Sequence, residues 1–370
     1  MKIAILIHSL GGGGAERVTV NLAWRWAEAG DEVVVLTLSD AAPRYSLHPR
    51  VRIVPLGLAA QGGGALRAMA ANLRRVLKIR AALRRERPDI AIGMMTAAAV
   101  LLALARTGLP LKAIGSERVY PPAVATKSAW MWLRRVSYGL LDGIVCQTGD
   151  ARDWILANTR ARRAWIVPNA VRWPIVAQPP VVAPPEGRPF ILAAGRFVPQ
   201  KEFSRLPPLF ARLAARHPDW DLAIIGEGPE RAAIEAQRSA LGLENRIHLP
   251  GWVGNVGQWG EAASLFVLTS RFEGFPNTLL EAMACGLPAV SVDCDTGPRD
   301  IIIDGVDGLL VPLDDEGALE TALDGLMSDD HRRAAMGEQA AKVRSRFSEA
   351  RIMDLWRGVI GDTVSAGCAR

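Results

Sequence analysis

Cysteine is scarce in this chain and follows no pattern. Cys146, Cys285, Cys294 and Cys368 are scattered along 370 residues without C-x-x-C spacing. That excludes a disulfide framework or a zinc site as the organising device and leaves reduced, buried thiols as the expected state. Long apolar runs are missing too: the longest, near residues 97–105 and 263–269, fall far short of the about 20 residues that cross a bilayer. No fixed-period repeat or low-complexity segment occurs. The opening M-K-I-A-I-L-I-H is interrupted by glycines too soon for a signal peptide, so it reads as a first buried strand in a protein expected to stay in the cytoplasm. Acidic residues are the minority charge, with 38 Asp and Glu against 44 Lys and Arg and a net charge of +6. This balance admits nucleic acid, anionic lipid or polyphosphate as partners.

What is present is a globular composition, 49% apolar and 22% charged, with length enough for two domains of roughly 150 to 190 residues. Short β-branched runs alternate with helical stretches, the order of a doubly wound α/β protein. Strands are expected at 2–8, 33–38, 51–55, 89–93, 112–116, 142–148 and 164–168. Residues 169–188 carry Pro174, Pro179, Pro180, Pro184 and Pro185 without helical period and read as an extended linker. A second unit opens at Phe190, with strands at 190–194, 222–226, 246–249, 263–270 and 289–292, a strand pair around the turn in 304–312, and helices from Glu316 on. The expected division is 1–168, a linker 169–188, 189–348, and a terminal helical segment 349–370.

The most informative stretch is R-F-E-G-F-P-N-T-L-L-E-A-M-A-C-G, residues 271–286, directly after the apolar run 263–270. Gly274 permits a sharp turn, Pro276 favours an extended approach, and Asn277 or Thr278 can cap a helix that Gly286 and Pro288 stop. A helix N-terminus offers free N–H groups and a partial positive charge, suited to a phosphate or to the sugar attached to one. Glu273 and Glu281 bracket the loop, and a carboxylate accepts two hydroxyl hydrogen bonds at once. Upstream, Gly195-Arg196 closes a strand and Lys201 follows five residues later. That places two cations at one edge, a planar guanidinium fork suited to paired phosphate oxygens and a compact ammonium.

The phrase Glu273-Gly-Phe-Pro-Asn-Thr-Leu-Leu-Glu281 resembles the Glu-x(seven)-Glu signature of retaining, nucleotide-sugar-dependent glycosyltransferases of family four. The resemblance implies a GT-B fold, two Rossmann-like domains with parallel sheets facing a central cleft. It further implies transfer of a hexose, such as N-acetylgalactosamine, N-acetylglucosamine or galactose, from a UDP-sugar to a glycan acceptor with retention and without a metal. By the same resemblance Arg196 and Lys201 stabilise the departing diphosphate, Glu273 holds the sugar hydroxyls and Glu281 the ribose. Gly195, Gly274, Phe275, Pro276, Asn277 and Thr278 then line the donor, and the backbone near Val253 pairs with the base. No cofactor beyond the nucleotide sugar is implied, and no nucleic acid. The loop C-D-T-G-P-R-D-I-I, residues 294–302, resembles members that extend polyprenyl-diphosphate-linked glycans, so a lipid-linked acceptor is expected.

The resemblance is weaker in the first half. There Gly13, Gly14 and Ala15, in the loop G-G-G-G-A-E-R, are expected to face the acceptor. They either offer N–H groups to its phosphate or merely let the first helix pack. A dinucleotide site is the competing reading of this loop, but the spacing places Glu16 or Arg17 where the third glycine belongs. His8, at the end of the first strand, is either a cleft residue or structural. Gly115-Ser116-Glu117-Arg118 stands where family members frequently carry a histidine near the reacting centre, so Glu117 and Arg118 are acceptor-side candidates. Glu202 follows Lys201 where the family usually has glycine or asparagine, which predicts a different local loop geometry. Asp293-x-Asp295 and Asp219-x-Asp221 match a metal-binding D-x-D, but the Arg196/Lys201 pair already supplies the positive charge.

Residues 67–87 hold Arg67, Arg74, Arg75, Lys78, Arg80, Arg84, Arg85 and Arg87 against one acid, Glu86, and residues 127–141 join Trp130, Trp132 and Tyr138 to Arg134 and Arg135. Together they suit an anionic membrane surface, hence a peripheral protein on the inner face of the cytoplasmic membrane. Separately they read as a solvated helix and a core helix. A nucleotide-sugar epimerase of GT-B fold and a non-catalytic nucleotide-sugar-binding subunit remain alternatives to transfer.

Overall fold

The computed structural model describes residues 1–11, 13–58, 65–123 and 128–365. Gly12, Lys127 and Cys368 lie outside them, as do the side chains of 65–68 and 128–129. Two compact units are formed, one from Met1–Asn169 and Ile352–Arg370, the other from Ala170–Arg351. Among the described residues no helix is long and apolar enough to cross a membrane.

The first unit is built on seven parallel strands: β1 Lys2–Ile7, β2 Glu32–Thr37, β3 Arg52–Pro55, β4 Ile90–Met94, β5 Lys112–Ser116, β6 Gly143–Cys146 and β7 Ala164–Ile166. They lie in the order β3-β2-β1-β4-β5-β6-β7. In the second unit β8 Phe190–Ala194, β9 Asp221–Ile225, β10 Ile247–Gly251, β11 Leu265–Leu268, β12 Ala289–Asp293 and β13 Gly308–Pro312 lie in the order β10-β9-β8-β11-β12-β13. The central strands are apolar end to end because helices cover both faces of a parallel sheet; β4, β8 and β9 are buried at every residue. The edge strand β10 alternates buried and half-buried residues instead.

The helix Thr96–Arg106 shows how tightly the layers meet. Its Ala98, Ala99, Val100, Leu102 and Ala103 are all but inaccessible. A Cβ on Gly93 of β4 would stand 2.7 Å from the Ala99 Cα and 2.9 Å from the Ala98 carbonyl oxygen. The backbones approach so closely only because one partner has no side chain. At the chain's end, the helix Glu349–Ser365 carries residues from Ile352 on into the first unit. There Trp356, fully buried, meets Trp26 edge to face with ring centroids 5.7 Å apart.

Two expectations need correcting. Residues 170–188 are not a free linker but part of the second unit. Gln178 N donates to the Gly254 carbonyl at 2.9 Å and Gly254 N to Pro180 O at 2.8 Å, while Asn255 Nδ2 and Trp259 Nε1 both donate to Val182 O, at 2.8 and 2.9 Å. Proline denies the segment a helix, but its carbonyls remain good acceptors. The expected strand pair in 304–312 is the single strand β13, since Asp307 turns inward to accept from Ile303 N at 2.7 Å and to pair with Arg346 at 2.6 Å. Of the two readings of 127–141, the core helix fits its aromatics better: Tyr138 is fully buried and Trp130 packs against the core. Only Trp132 stands out, 64% exposed.

The thiols of Cys285 and Cys294 are pushed up to about 12 by burial, and burial raises Cys146 as well. All three are free. Gly93→Ala should destabilise the protein by about 1–3 kcal/mol, because the atoms that must move are helix backbone. Thermal denaturation measures this, and an unchanged Tm would mean the helix is not held at contact distance.

Candidate functional site

In the second unit the chain runs from β8 outward to β9 and β10, then returns to start β11 on the other side of β8. At such a reversal the loops leaving neighbouring strands diverge, and a crevice opens beyond their carboxyl ends. The loops following β8 and β11 carry the two motifs singled out above. They are stitched together: Thr269 donates its hydroxyl hydrogen to Lys201 O at 2.8 Å, Arg271 N donates to Gln200 O at 2.9 Å, and Gln200 Nε2 donates to Phe272 O at 2.7 Å. The loop after β12 joins them through Thr296, whose hydroxyl donates to Glu273 O at 2.7 Å. Gly226, at φ +139°, leaves room for this assembly, since a Cβ there would fall 1.8 Å from the Gly195 carbonyl oxygen.

This stitching sets Lys201 Nζ 2.5 Å from Glu273 Oε1, with side chains only 14% and 9% exposed. Each thus neutralises the other, and the ammonium and the carboxylate sit at the same point of the crevice. Arg196 is exposed one residue beyond Gly195. The helix Asn277–Ala284 begins beside them. Its N-cap is Pro276, and neither Asn277 nor Thr278 caps it; no side chain does. Its first N–H groups thus carry the helix's partial positive charge without a side-chain cap. Thr278 Oγ1 is buried there without a hydrogen-bond partner, and Glu281 lies half-buried within that helix.

Not every expected donor residue offers its side chain. Phe275 is 5% exposed and packs against Phe347 at 5.4 Å, so it serves the core, and Gly274 carries only backbone into the loop. Val253 is likewise buried. Of the D-x-D matches, Asp221 begins β9, at the sheet's opposite end, and is held by Arg246 and His248, both at 2.9 Å. Asp293 accepts from Arg299 Nε at 2.8 Å.

Glu202 adopts the left-handed conformation at φ 50° that glycine or asparagine would take easily. Arg205 at 2.9 Å and Arg271 at 2.7 Å hold its carboxylate, and Arg271 also reaches Asp314 at 3.5 Å, a second left-handed residue with φ 69°.

In the first unit the order reverses between β1 and β4. His8 is exposed at the end of β1, and the helix Gly14–Glu28 starts after the glycine loop. The N–H groups of Gly13, Gly14 and Ala15 are not simply open to a phosphate. Glu16 folds its carboxylate over Gly13, with Oε2 2.5 Å from where a Cβ would stand, and an acid in the first turn offsets the helix's positive end. Across the reversal Met95 is left-handed at φ 74° and heads the helix Thr96–Arg106. Glu117 points into the core, where it accepts from Thr96 Oγ1 at 2.8 Å and from the Tyr138 hydroxyl. Burial raises its carboxyl above the ordinary range against the pull of those two donors. So enclosed, it braces the sheet end rather than facing an acceptor. Arg118 is buried beside it and donates from Nη1 to Asn169 Oδ1 at 2.9 Å.

On the outer helix Ala65–Glu86, Met69, Leu73 and Leu77 are 67%, 60% and 56% exposed, at i, i+4 and i+8. Arg74, Lys78, Arg84 and Arg85 are exposed on the same helix. Several of its cations are engaged: Lys78 donates to Leu56 O at 3.1 Å, Arg85 pairs with Glu86 at 3.2 Å, Arg80 donates to Ala105 O at 2.9 Å, and Arg75 reaches Asn72 at 2.7 Å. Glu86, paired with Arg52 at 2.5 Å, is held down to about 2.

Residues 12–172 match the family model described as Glycosyltransferase Family 4, and residues 177–343 that described as Glycosyl transferases group 1. The chain belongs to glycosyltransferase family four. Across 371 residues it is 25% identical to the GalNAc-alpha-(1->4)-GalNAc-alpha-(1->3)-diNAcBac-PP-undecaprenol alpha-1,4-N-acetyl-D-galactosaminyltransferase of Campylobacter jejuni, covering 99% of this chain and 100% of that one. It is 34% identical over 236 residues to the exopolysaccharide phosphotransferase SCO2592 of Streptomyces coelicolor, a match that takes in 61% of this chain and 24% of that longer protein. In architecture it superposes on Anabaena Alr3699/HepE in complex with UDP with a TM-score of 0.77 at 19% identity, covering 99% and 100% of the two chains. The shared architecture is the GT-B fold.

The fasteners of this family-four site, Gln200, Thr269 and Thr296, escaped the sequence reading because single polar residues in loops carry no period. Gly226 does carry a sequence signal, the turn punctuation G-E-G-P after a strand. Glu202→Val should cost about 2 kcal/mol, from the left-handed backbone and the lost ion pairs. Glu202→Gly should stay within about 1 kcal/mol of the parent. Equal denaturation midpoints for the two variants would show that the turn is not held left-handed.

Proposed function

We propose that this chain transfers a hexosyl group, N-acetylgalactosaminyl, N-acetylglucosaminyl or galactosyl, from a UDP-sugar to a lipid-linked glycan with retention at the anomeric carbon. The observation that carries the reading is the Lys201–Glu273 contact at the uncapped start of the helix Asn277–Ala284. It puts a cation, a hydroxyl-binding carboxylate and a positively polarised helix end in one crevice.

As the bond from the anomeric carbon to the phosphate oxygen breaks, its electron pair goes to the β-phosphate. Lys201, Arg196 and the amides at the helix start stabilise the charge that develops there. Lys201 then shares itself between the phosphate and Glu273, which keeps hold of the sugar hydroxyls. The acceptor oxygen forms the new bond on the face the phosphate leaves, and its proton passes to that phosphate. In this reading no divalent cation takes part, and Glu281 binds the ribose. The 25% identity along the full length of a Campylobacter enzyme named for an undecaprenol-linked acceptor supports the acceptor class.

The exposed Met69, Leu73 and Leu77 among arginines and lysine fit an anionic membrane surface, where such an acceptor is anchored. This would place the protein on the inner face of the cytoplasmic membrane.

A set of UDP- and GDP-sugars, scored for nucleotide release with and without polyprenyl-diphosphate-linked glycans, tests the reaction. Acceptor-dependent release from a UDP-sugar is expected. Isomerisation of the donor without an acceptor would turn the reading toward an epimerase, and UDP binding without release toward a binding subunit. Lys201→Ala should lower kcat by about 10²–10³-fold, and chelators should leave the parent rate unchanged; full activity in the variant, or loss on chelation, sinks the mechanism. Vesicles containing anionic lipid should sediment the protein, and Leu73→Asp with Leu77→Asp should weaken that. Equal binding to neutral vesicles removes the membrane assignment.

A further inference from the structure

Arg118 is 8% exposed, yet among the described residues only one of its guanidinium nitrogens finds a hydrogen-bond partner. Nη1 donates to Asn169 Oδ1 at 2.9 Å, and the group lies 5.9 Å from the centre of the Trp356 ring. Nε and Nη2 are buried without a hydrogen-bond partner. These two N–H groups point the same way, as the side-on fork with which arginine grips both oxygens of a carboxylate or phosphate. No carboxylate pairs with Arg118 among the described residues. Its sequence neighbour Glu117 is committed to Thr96 and Tyr138. Enclosing a guanidinium without a counter-charge is costly, and burial pulls Arg118 down to about 10.

The orphaned donors are not alone. Ser116 Oγ and Gln147 Oε1 are also buried and unpartnered. Ser116 ends β5 opposite Val145 of β6 in the parallel register. Arg118 and Gln147 each follow that pair by two residues, just beyond the carboxyl ends of β5 and β6. Two guanidinium donors, a hydroxyl and an amide oxygen, all buried and unpartnered among the described residues, thus lie at or just beyond the carboxyl ends of adjacent strands, the edge where doubly wound sheets hold ligands. Buried polar groups are otherwise satisfied almost without exception.

We infer that Arg118, Ser116 and Gln147 form a binding site for an acidic saccharide, with the Arg118 fork on its oxyanion and Gln147 accepting from an adjacent sugar hydroxyl. The oxyanion is either the carboxylate of a hexuronic acid or the phosphate of a sugar phosphate. That such a saccharide belongs to the transferred sugar or its acceptor rests on the transferase reading, whereas the site itself does not.

The test compares the full chain with Arg118→Met and Gln147→Leu by calorimetry and thermal denaturation, with UDP saturating so that the second unit's cationic crevice is occupied. The probes are glucuronate and glucose 1-phosphate, with glucose as the neutral control. One acid should bind the parent and raise its Tm, and binding should weaken about 10- to 100-fold in Arg118→Met. Response to glucuronate alone identifies the carboxylate source, and response to glucose 1-phosphate alone the phosphate source. Without any acid, Arg118→Met should be at least as stable as the parent, because an uncompensated buried charge has been removed. A large loss of stability in Arg118→Met, with no acid bound by the parent, would show Arg118 to be a structural prop on Asn169 and Trp356. Equal acid binding by parent and variants would likewise overturn the site. Failure of UDP itself to bind would count against the donor reading and leave the Arg118 comparison intact.

Discussion

Parallel strands deliver all their loops to the same end of the sheet, and wherever the strand order reverses, two adjacent loops must part. In the second unit that happens between β8 and β11. The backbone groups around the gap are not left to chance. The side chains of Thr269, Gln200 and Thr296 bind main-chain carbonyls across it, so three loops from three strands act as one wall. Glycine is required where that wall is thinnest, at Gly226, because a methyl group would enter the Gly195 carbonyl. The crevice is thus a consequence of topology, and its shape one of a few polar fasteners.

Its electrostatics follow from the same arrangement. A lysine and a glutamate 72 residues apart in sequence meet at 2.5 Å in surroundings that exclude most water. A low effective dielectric strengthens their mutual attraction relative to a solvated ion pair. Arg271 contributes at the outer edge by holding two left-handed residues, Glu202 and Asp314, in place. Strain is tolerated where the surroundings over-determine the conformation, a common condition of ligand sites.

The first unit uses its carboxyl edge differently. Glu117 and Arg118 are adjacent in sequence, and both are buried, but their environments are opposite. One carboxylate has two hydroxyl donors, whereas one guanidinium has a single amide acceptor and two nitrogens unmatched. The glycine loop is moderated by its own Glu16. Family membership describes the shared GT-B plan, while these local choices distinguish this chain within it.

The alternation of apolar runs with helical stretches was readable in one dimension, because burial on both faces of a parallel strand demands consecutive apolar residues and turn residues act locally. Arg196, Lys201, Glu273 and Glu281 could be named as candidates from the sequence because they carry their chemistry in their side chains. The strand order, the seating of residues 170–188 on the second unit, the inward turn of Phe275 and the left-handed Glu202 were not readable in this way. Neither was the contact of Lys201 with Glu273, nor the unmatched fork of Arg118. Each depends on which distant segments come to lie side by side. Residue type and spacing decide what a side chain can do, but only the packing of the folded chain decides which partner is within 3 Å of it and which has been shut out.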